Sequence, residues 1–267
     1  MLQRLSILWA LAVTSLQAEF QYRANVVTSM ISGVLYQGTG FVVIWIIVAR
    51  FNSIGGWALA EITLLYGMRL TSHGVFYACF SQLFELDRVL ISGEYDRYLV
   101  RPMPPLAQLF TRKLRMNAFG DLIGGFALLA FAIPGLGIDW TISKAVLLVF
   151  AMIGGGLIEG AVQITLGSFS FRVLNALALR TTVNEVFNLY GNYPTHIFPK
   201  LLEYVLTFVL PVAFVAYFPA SVILGRGDQL TLPEVFAWMS PLLGIVLFLI
   251  AVRIWGFQSR NYQSAGN

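Results

Sequence analysis

The sequence predicts an all-α membrane protein with six transmembrane helices and both termini in the cytoplasm. Three observations carry that fold class: a deficit of charge, apolar runs of membrane length, and an uneven placement of basic residues. Of 267 residues, 58% are hydrophobic, 14% aromatic and only 11% charged, and the mean hydropathy is +0.75. A soluble domain usually carries about 25% charged residues, so this chain has too little polar surface for water. Several apolar runs reach the roughly 20 residues that cross a ~30 Å hydrocarbon core as a helix. Lipid leaves no partner for free backbone groups, so such runs must be helical unless they close a barrel. The alternating segments of about ten residues that mark a barrel are missing.

The six spans read as 26–49, 57–80, 116–133, 142–169, 201–217 and 235–256, within one membrane domain, 1–267. Basic residues set the orientation, because cytoplasmic loops collect Lys and Arg. With the N-terminus inside, Arg4 and Arg23, then Arg88, Arg97, Arg101, Arg112, Lys113 and Arg115, then Arg172, Arg180 and Lys200, and finally Arg253 and Arg260 all fall inside. Arg50, Lys144 and Arg226 fall outside, and Arg69 lies within a span.

Residues 1–25 precede the first span. Leu5, Leu8, Trp9, Ala12 and Leu16 recur at helical spacing, with Gln3, Arg4, Gln17 and Glu19 left to face water. That pattern favours an amphipathic helix at the cytoplasmic interface. A basic start, an apolar run and a small residue near a possible cleavage point also fit a signal peptide.

The loop after the second span, 83–115, is cationic and far longer than the 2–8 residues that suffice between packed helices. Gly93 permits a break, and Glu94–Tyr95–Asp96–Arg97–Tyr98–Leu99 reads as a short amphipathic helix. Arg101–Pro102–Met103–Pro104–Pro105 must then be extended, since a proline biases its predecessor away from helix. A further helix starts near Leu106. The result is a cytoplasmic projection bearing both charge signs and exposed tyrosines. It suits docking onto a protein surface, and equally a basic loop resting on anionic headgroups.

Polar residues inside spans form a second constellation. A charge there costs about 2.5–3.5 kcal/mol on insertion scales, so it faces protein or a cavity. The second span holds Glu61, Tyr66, Arg69 and His73, and the fourth holds Glu159 and Gln163 on one face. At 1.5 Å per residue, His73 and Glu159 lie about 24 and 25 Å below the outer ends of their spans. A His73–Glu159 or Arg69–Glu159 pair is therefore geometrically allowed, with Asp121 as a competing partner for Arg69. These residues read either as contacts lining a pathway or as a clamp between helices. Gly120-x-x-x-Gly124 and Gly156-x-x-x-Gly160 allow close helix approach, within the subunit or at a dimer seam.

The loop 217–238 is interrupted by Pro219, Gly225, Gly227 and Pro233. With Pro211 breaking the fifth span, the apolar stretch 211–224 suits a short or re-entrant helix acting as an external gate, or an ordinary outer loop. His196 is expected on the surface at the inner side. Cys79 is the single cysteine, so no intrachain disulfide or CxxC metal site exists. The two histidines lack a carboxylate at ligand spacing, and no metal site is assigned.

The run ISGEYDRYLVRPMPPL resembles the signature loop of ABC-2-type permeases, the family of small six-span permeases often encoded beside an ABC ATPase. FQYRAN at 20–25, and FVLPVAF at 208–214 followed by YFPA at 217–220, resemble the family's entry to its first span and its late segment. The resemblance implies a type V exporter-like permease domain. It implies that two permeases, identical or related, pair side by side on two copies of a cytosolic ABC ATPase. The coupling element would map onto 91–105, with Glu94, Tyr95, Asp96, Arg97, Arg101 and Pro102 at the ATPase contact. No GxxxxGK[ST] loop occurs, so ATP and Mg would be bound by the partner chain, and this chain would hold no cofactor and do no covalent chemistry.

The expected function is the permease of an ATP-driven exporter of a hydrophobic or amphipathic substrate, a lipid or drug, in a bacterial cytoplasmic membrane, with no nucleic-acid partner. The alternatives are an ion-coupled secondary transporter, which would favour inverted repeats and broken midplane helices, and an intramembrane enzyme, which would need a paired catalytic motif.

Overall fold

The computed structural model describes residues 2–173 and 176–263, and secondary structure there is helical apart from an isolated bridge between Ile54 and Trp57. Two helices, α1 (Leu2–Phe20) and α2 (Arg23–Phe51), open the chain. The face expected from Leu5, Leu8, Trp9 and Ala12 on α1 falls outside the described residues. Helix α2 stops where Asn52 takes a left-handed conformation at φ 64°, a common way to close a helix. Helix α3 (Leu59–Phe80) starts with the Glu61 carboxylate accepting the Ala58 N–H at 2.7 Å. Three short helices follow, α4 (Leu86–Ile91), α5 (Glu94–Leu99) and α6 (Pro105–Phe110). Gly93, at φ 69°, separates the first two.

Two long helices, α7 (Asn117–Ala132) and α8 (Ile142–Ser168), pack on α3, and α9 (Leu177–Tyr190) packs on α8. The chain ends with α10 (Lys200–Tyr204), α11 (Tyr217–Ile223), α12 (Glu234–Trp238) and α13 (Ser240–Gln258). Helices α3 and α7 are antiparallel, with Gly67 near Leu129 and Gly74 near Leu122. The bundle has two recognisable ends. Trp57, Glu61 and Arg226 mark one, and Asp87, Arg180 and Tyr95 mark the other.

Helix α3 is the axis of the molecule: every residue from Ile62 to Gly74 is buried. Close approach to its neighbours is made by glycines. A side chain on Gly125 would strike Thr71, and one on Gly156 would lie 2.9 Å from the Ser72 carbonyl oxygen. Gly154 sits against Pro241 and Gly244 where α8 meets α13, and Gly120 sits on the Met30 carbonyl of α2. The glycines described here thus pack helices of one chain together. Helix α2, by contrast, buries only Val26, Gly33, Ile44 and Val48 of its 29 residues, leaving Ile31, Leu35, Trp45 and Ile46 on the outside.

Among the described residues, four helical stretches are long and apolar enough to cross a membrane: Arg23–Phe51, Asn117–Gly135, Ile142–Phe171 and Ser240–Asn261. Helix α3 is less apolar because it carries Glu61, half-buried at its start, and Arg69 and His73, which the surrounding helices cover. The sixth predicted span, 235–256, divides into α12 and α13 at Met239.

The fifth predicted span is corrected. Residues 201–217 do not form one helix. They begin in α10, continue as a π-helical turn over Val205–Val209, and leave helical geometry at Leu210. The chain then doubles back: Ala213 N–H donates to Leu206 O at 3.0 Å and Phe218 N–H to Ala213 O at 2.9 Å. Pro211 has no N–H to continue the helix. The tip and the returning α11 are buried throughout, from Val212 to Ile223. This hairpin enters the bundle from the Trp57 end and reaches the level of Ser72 and Gly155, where Val215 packs.

Of residues 170–200, expected as one loop at a single side, those from 176 on instead run the length of the bundle. Arg180 meets Asp87 at one end, Asn188 meets Arg69 at mid-depth, and His196 meets Gly55 at the other end. His196 therefore does not share an end with Arg172 and Arg180. Helix α9 carries Arg180, Asn184, Glu185 and Asn188, so no apolar window marks it.

Candidate functional site

At mid-depth, three ionisable side chains from two helices meet in the interior. Arg69 and Glu159 are 2% and 1% exposed, and His73 is 4% exposed. The cost of bringing a charge out of water is several kcal/mol, so such groups persist only when paired and hydrogen-bonded. His73 Nδ1 lies 2.8 Å from Glu159 Oε2. An ionised carboxylate only accepts, so the His73 Nδ1 proton faces it. Arg69 Nη2 is 3.7 Å from Glu159 Oε1, an ion pair without a hydrogen bond. Its guanidinium instead bonds α9, donating from Nε to Phe187 O at 3.2 Å and from Nη2 to Asn188 Oδ1 at 2.8 Å. Glu159 Oε1 has no hydrogen-bond partner. The cluster thus ties α3 to α8 and α9 together.

Gln163, one turn further along α8, stands outside this cluster. It donates to Arg180 O at 3.1 Å and joins α8 to α9. Asp121 on α7 does not reach Arg69. It borders a polar cavity of about 290 Å³, together with His73, Gln37, Tyr77, Asn184 and Glu185. Among the sequence-predicted intramembrane residues, His73 and Asp121 therefore face open space, while Arg69, Glu159 and Gln163 are committed to other helices.

The hairpin tip closes the cluster from the Trp57 end. A Cβ on Gly155 would lie 2.5 Å from Ser72 Oγ and 2.9 Å from Val215 Cγ1, so the tip sits within one helical turn of Glu159. Its outer anchorage is polar. Tyr217 donates to Gln229 O at 3.0 Å and lies 3.0 Å from His196 Nδ1. Trp57 Nε1 donates to Gln229 Oε1 at 2.8 Å. Arg226 binds Glu61 through two nitrogens at 2.7 and 2.9 Å, a bidentate fork.

At the opposite end, α4, α5 and α6 form a compact layer rather than a loose loop. Tyr95 is fully buried, within an aromatic group of Tyr98, Phe171 and Tyr262. The tyrosines expected on the surface thus point inward, which is a correction: a six-residue helix holds its place only by burying its large side chains. Burial pushes the Tyr95 and Tyr98 phenols up from their ordinary range. Asp96 is half-buried, and together with burial it raises the Tyr262 phenol. Glu94 bonds Arg112 at 2.9 Å. Arg97, Arg101 and Pro102 are exposed, and so are Leu99 and Val100 between them.

Three supports of this layer escaped the sequence. Arg180, with no exposed surface, pairs with Asp87 and donates to Leu83 O, so α9 is bolted to the layer. Gln108 donates to both Tyr98 O and Met103 O at 2.9 Å, binding the proline turn to α5. The third, Glu85, bridges Arg88 and Arg115, each at 3.0 Å. The hydrogen bond from Arg88, then the field of Arg115, hold the Glu85 carboxyl below the usual range. Asp87 and Arg180 are far apart in sequence, and Gln108 is an ordinary helix residue, so no local pattern announces them.

A family model described as ABC-2 family transporter protein matches residues 34–266. No curated protein and no solved structure matches the chain.

Proposed function

From the premise that this chain belongs to the ABC-2 transporter family and is the permease component of an ABC transporter, we propose that ATP hydrolysis on a separate cytosolic ATPase drives it to export a hydrophobic or amphipathic substrate. The proposed crossings are α2, α3, α7, α8, α9 with its extension to His196, and α13, with both termini and the α4–α6 layer in the cytoplasm. The setting proposed is a bacterial cytoplasmic membrane, where the chain pairs with a second permease, identical or related. The apolar exposed flank of α2 suits lipid or that second permease.

One observation carries the reading: the exposed ridge Leu99–Val100–Arg101 stands on a layer bolted to the bundle by buried groups. A push on α5 would meet Tyr95 and its aromatic neighbours, then Asp87 and Arg180, and so α9. Helix α9 holds Arg69 through Phe187 O and Asn188, and Arg69 faces Glu159. Beyond the cluster stands the hairpin tip at Val215, proposed as the external gate. Contiguity of this kind is a hypothesis of coupling until two-site perturbation tests it.

Within this scheme, Arg69, Glu159 and Gln163 act as the clamp that transmits movement, whereas His73 and Asp121 line the substrate's route. Glu94, Asp96 and Tyr95 shape the coupling layer, and Arg97, Arg101 and Pro102 present its contact face. The deciding experiment is transport in inverted vesicles containing this chain and its proposed partner ATPase. ATP-dependent uptake, lost on Arg101→Glu together with ATPase co-purification, is the expected outcome. Uptake that follows an ion gradient and ignores ATP would overturn the reading in favour of a secondary transporter.

A further inference from the structure

A cavity of about 1310 Å³ lies at the Asp87 end, between α1, the first turns of α2 and the α4–α6 layer. Six cations line it: Arg88, Arg97, Arg101, Arg112, Lys113 and Arg115. The carboxylates in the wall are Glu19, Glu85 and Glu94, and each already holds a cation: Lys113 at 3.4 Å, Arg115 at 3.0 Å and Arg112 at 2.9 Å. Arg88 shares Glu85. Arg97 and Arg101 make no ion pair among the described residues. The wall therefore carries a positive excess, concentrated on two free guanidinium groups at one rim.

The cavity has an apolar side as well. Leu11, Leu114 and Met116 line it, and the exposed apolar flank of α2 begins beside it at Val27 and Ile31. Helix α1 is strapped over this space by Ser15, whose hydroxyl donates to Thr111 O at 2.7 Å, and by the Glu19–Lys113 pair. A ligand suited to both sides has an anionic head and an apolar tail. Guanidinium forks match phosphate oxygens in pairs, and a phosphate has enough oxygens to serve two guanidinium groups at once.

We propose that this cavity is a binding site for the phosphate headgroup of an amphiphile, with Arg97 and Arg101 as its principal contacts. The occupant then touches α5 itself, the element proposed above to meet the ATPase. The site would let the lipid or cargo at the inner membrane surface alter that contact. The inference shares residues with the proposed docking but does not depend on it: a chain that binds phosphate and no ATPase supports the one and defeats the other.

The test is equilibrium binding of a fluorescent phosphatidylglycerol to the full chain, purified without the ATPase in an uncharged detergent, against fluorescent phosphatidylcholine. Phosphatidylglycerol is expected to bind at least tenfold more tightly. The double variant Arg97→Gln/Arg101→Gln should lose most of that preference, while Arg253→Gln, exposed on α13 away from the cavity, should keep it. Competition by dodecyl phosphate but not by inorganic pyrophosphate assigns the site to a lipid-borne phosphate. Competition by pyrophosphate at equal concentration assigns it to a soluble one. Equal binding of both lipids, or an equal loss in Arg253→Gln, overturns the proposal, since the first denies a phosphate site and the second reduces it to general surface charge. Circular dichroism and gel filtration of each variant confirm that the chain compared is folded.

Discussion

His196 Nε2 lies 3.0 Å from the carbonyl oxygen of Gly55, although the two residues are 141 positions apart. Gly55 sits at φ 58°, a left-handed backbone, and a Cβ there would strike Ile197 and approach His196 Nε2 to 2.9 Å. The contact fixes where α9 and its extension end, beside the start of α3. Replacing Gly55 by alanine should therefore cost about 1–2 kcal/mol from the backbone alone, with more from displaced His196. A lower thermal unfolding midpoint of the purified protein is the readout, and a midpoint within error of the parent would dismiss the contact as incidental.

The buried cluster gives a sharper test. Glu159→Gln removes the carboxylate that pairs with both Arg69 and His73 and leaves Arg69 buried without that counter-charge. Breaking a buried pair from one side typically costs about 3–5 kcal/mol. The expected outcome is loss of assembled protein, read by fluorescence-detected gel filtration. Normal assembly with abolished transport would move Glu159 from clamp to pathway.

Asp121→Asn should behave differently. The cavity wall keeps its shape with an amide, so the variant is expected to assemble at parental yield and to transport several-fold more slowly. Vesicle uptake normalised to protein amount checks this. Unchanged transport of every cargo tried would remove the cavity from the route.

Gln108 bonds two carbonyls that have no other described partner. Gln108→Leu would leave the buried Tyr98 acceptor short of a donor, at about 1–3 kcal/mol, and the part-buried Met103 acceptor at less. The proline turn should open, and limited proteolysis should cut near 99–104 faster while the bundle resists. Cleavage at the parental rate would show that the turn stands without it.

Acid should loosen the same layer. The Glu85 carboxyl has a folded value depressed below its ordinary 4.5 by Arg88 and Arg115. A depressed carboxyl contributes stability that is present above its unfolded value and lost as pH falls through the folded one. Proteolytic sensitivity of the layer should thus rise below about pH 4.5 in the parent, and Glu85→Gln should show it already at neutral pH. An identical profile for both chains would contradict the assignment.

Hydropathy made α2, α7, α8 and α13 legible, because each presents apolar side chains over most of its length. It also found α3 by length, despite Arg69 and His73. It missed α9, which carries Asn184, Glu185 and Asn188 among its apolar residues, and it preferred 201–217, whose apolar residues are partly exposed up to Val209 and buried in protein from Val212 on. A window average registers burial and cannot tell lipid from neighbouring helices. Helical rise put His73 and Glu159 at one depth and left open whether His73 or Arg69 is the partner of Glu159. Arg180 with Asp87 was not, since its geometry depends on α9 running the length of the bundle.

The enclosure of α3 bears on how the chain is made. A segment carrying Glu61, Arg69 and His73 partitions poorly into bilayer on its own, with Arg at a helix centre opposed by about 2.5–3.5 kcal/mol on insertion scales. Its covering partners α7 and α8 are synthesised later, and so are Glu159 and Asn188. On the proposed topology, in which α3 crosses the membrane, α3 is therefore sheltered in the insertion machinery, or sits shallow in the interface, until α8 emerges. Nascent chains truncated before Glu159 should be retained or degraded, and those extending past Asn188 released. The residues that hold the finished permease together thereby set the point in synthesis at which α3 settles beside the already inserted α2.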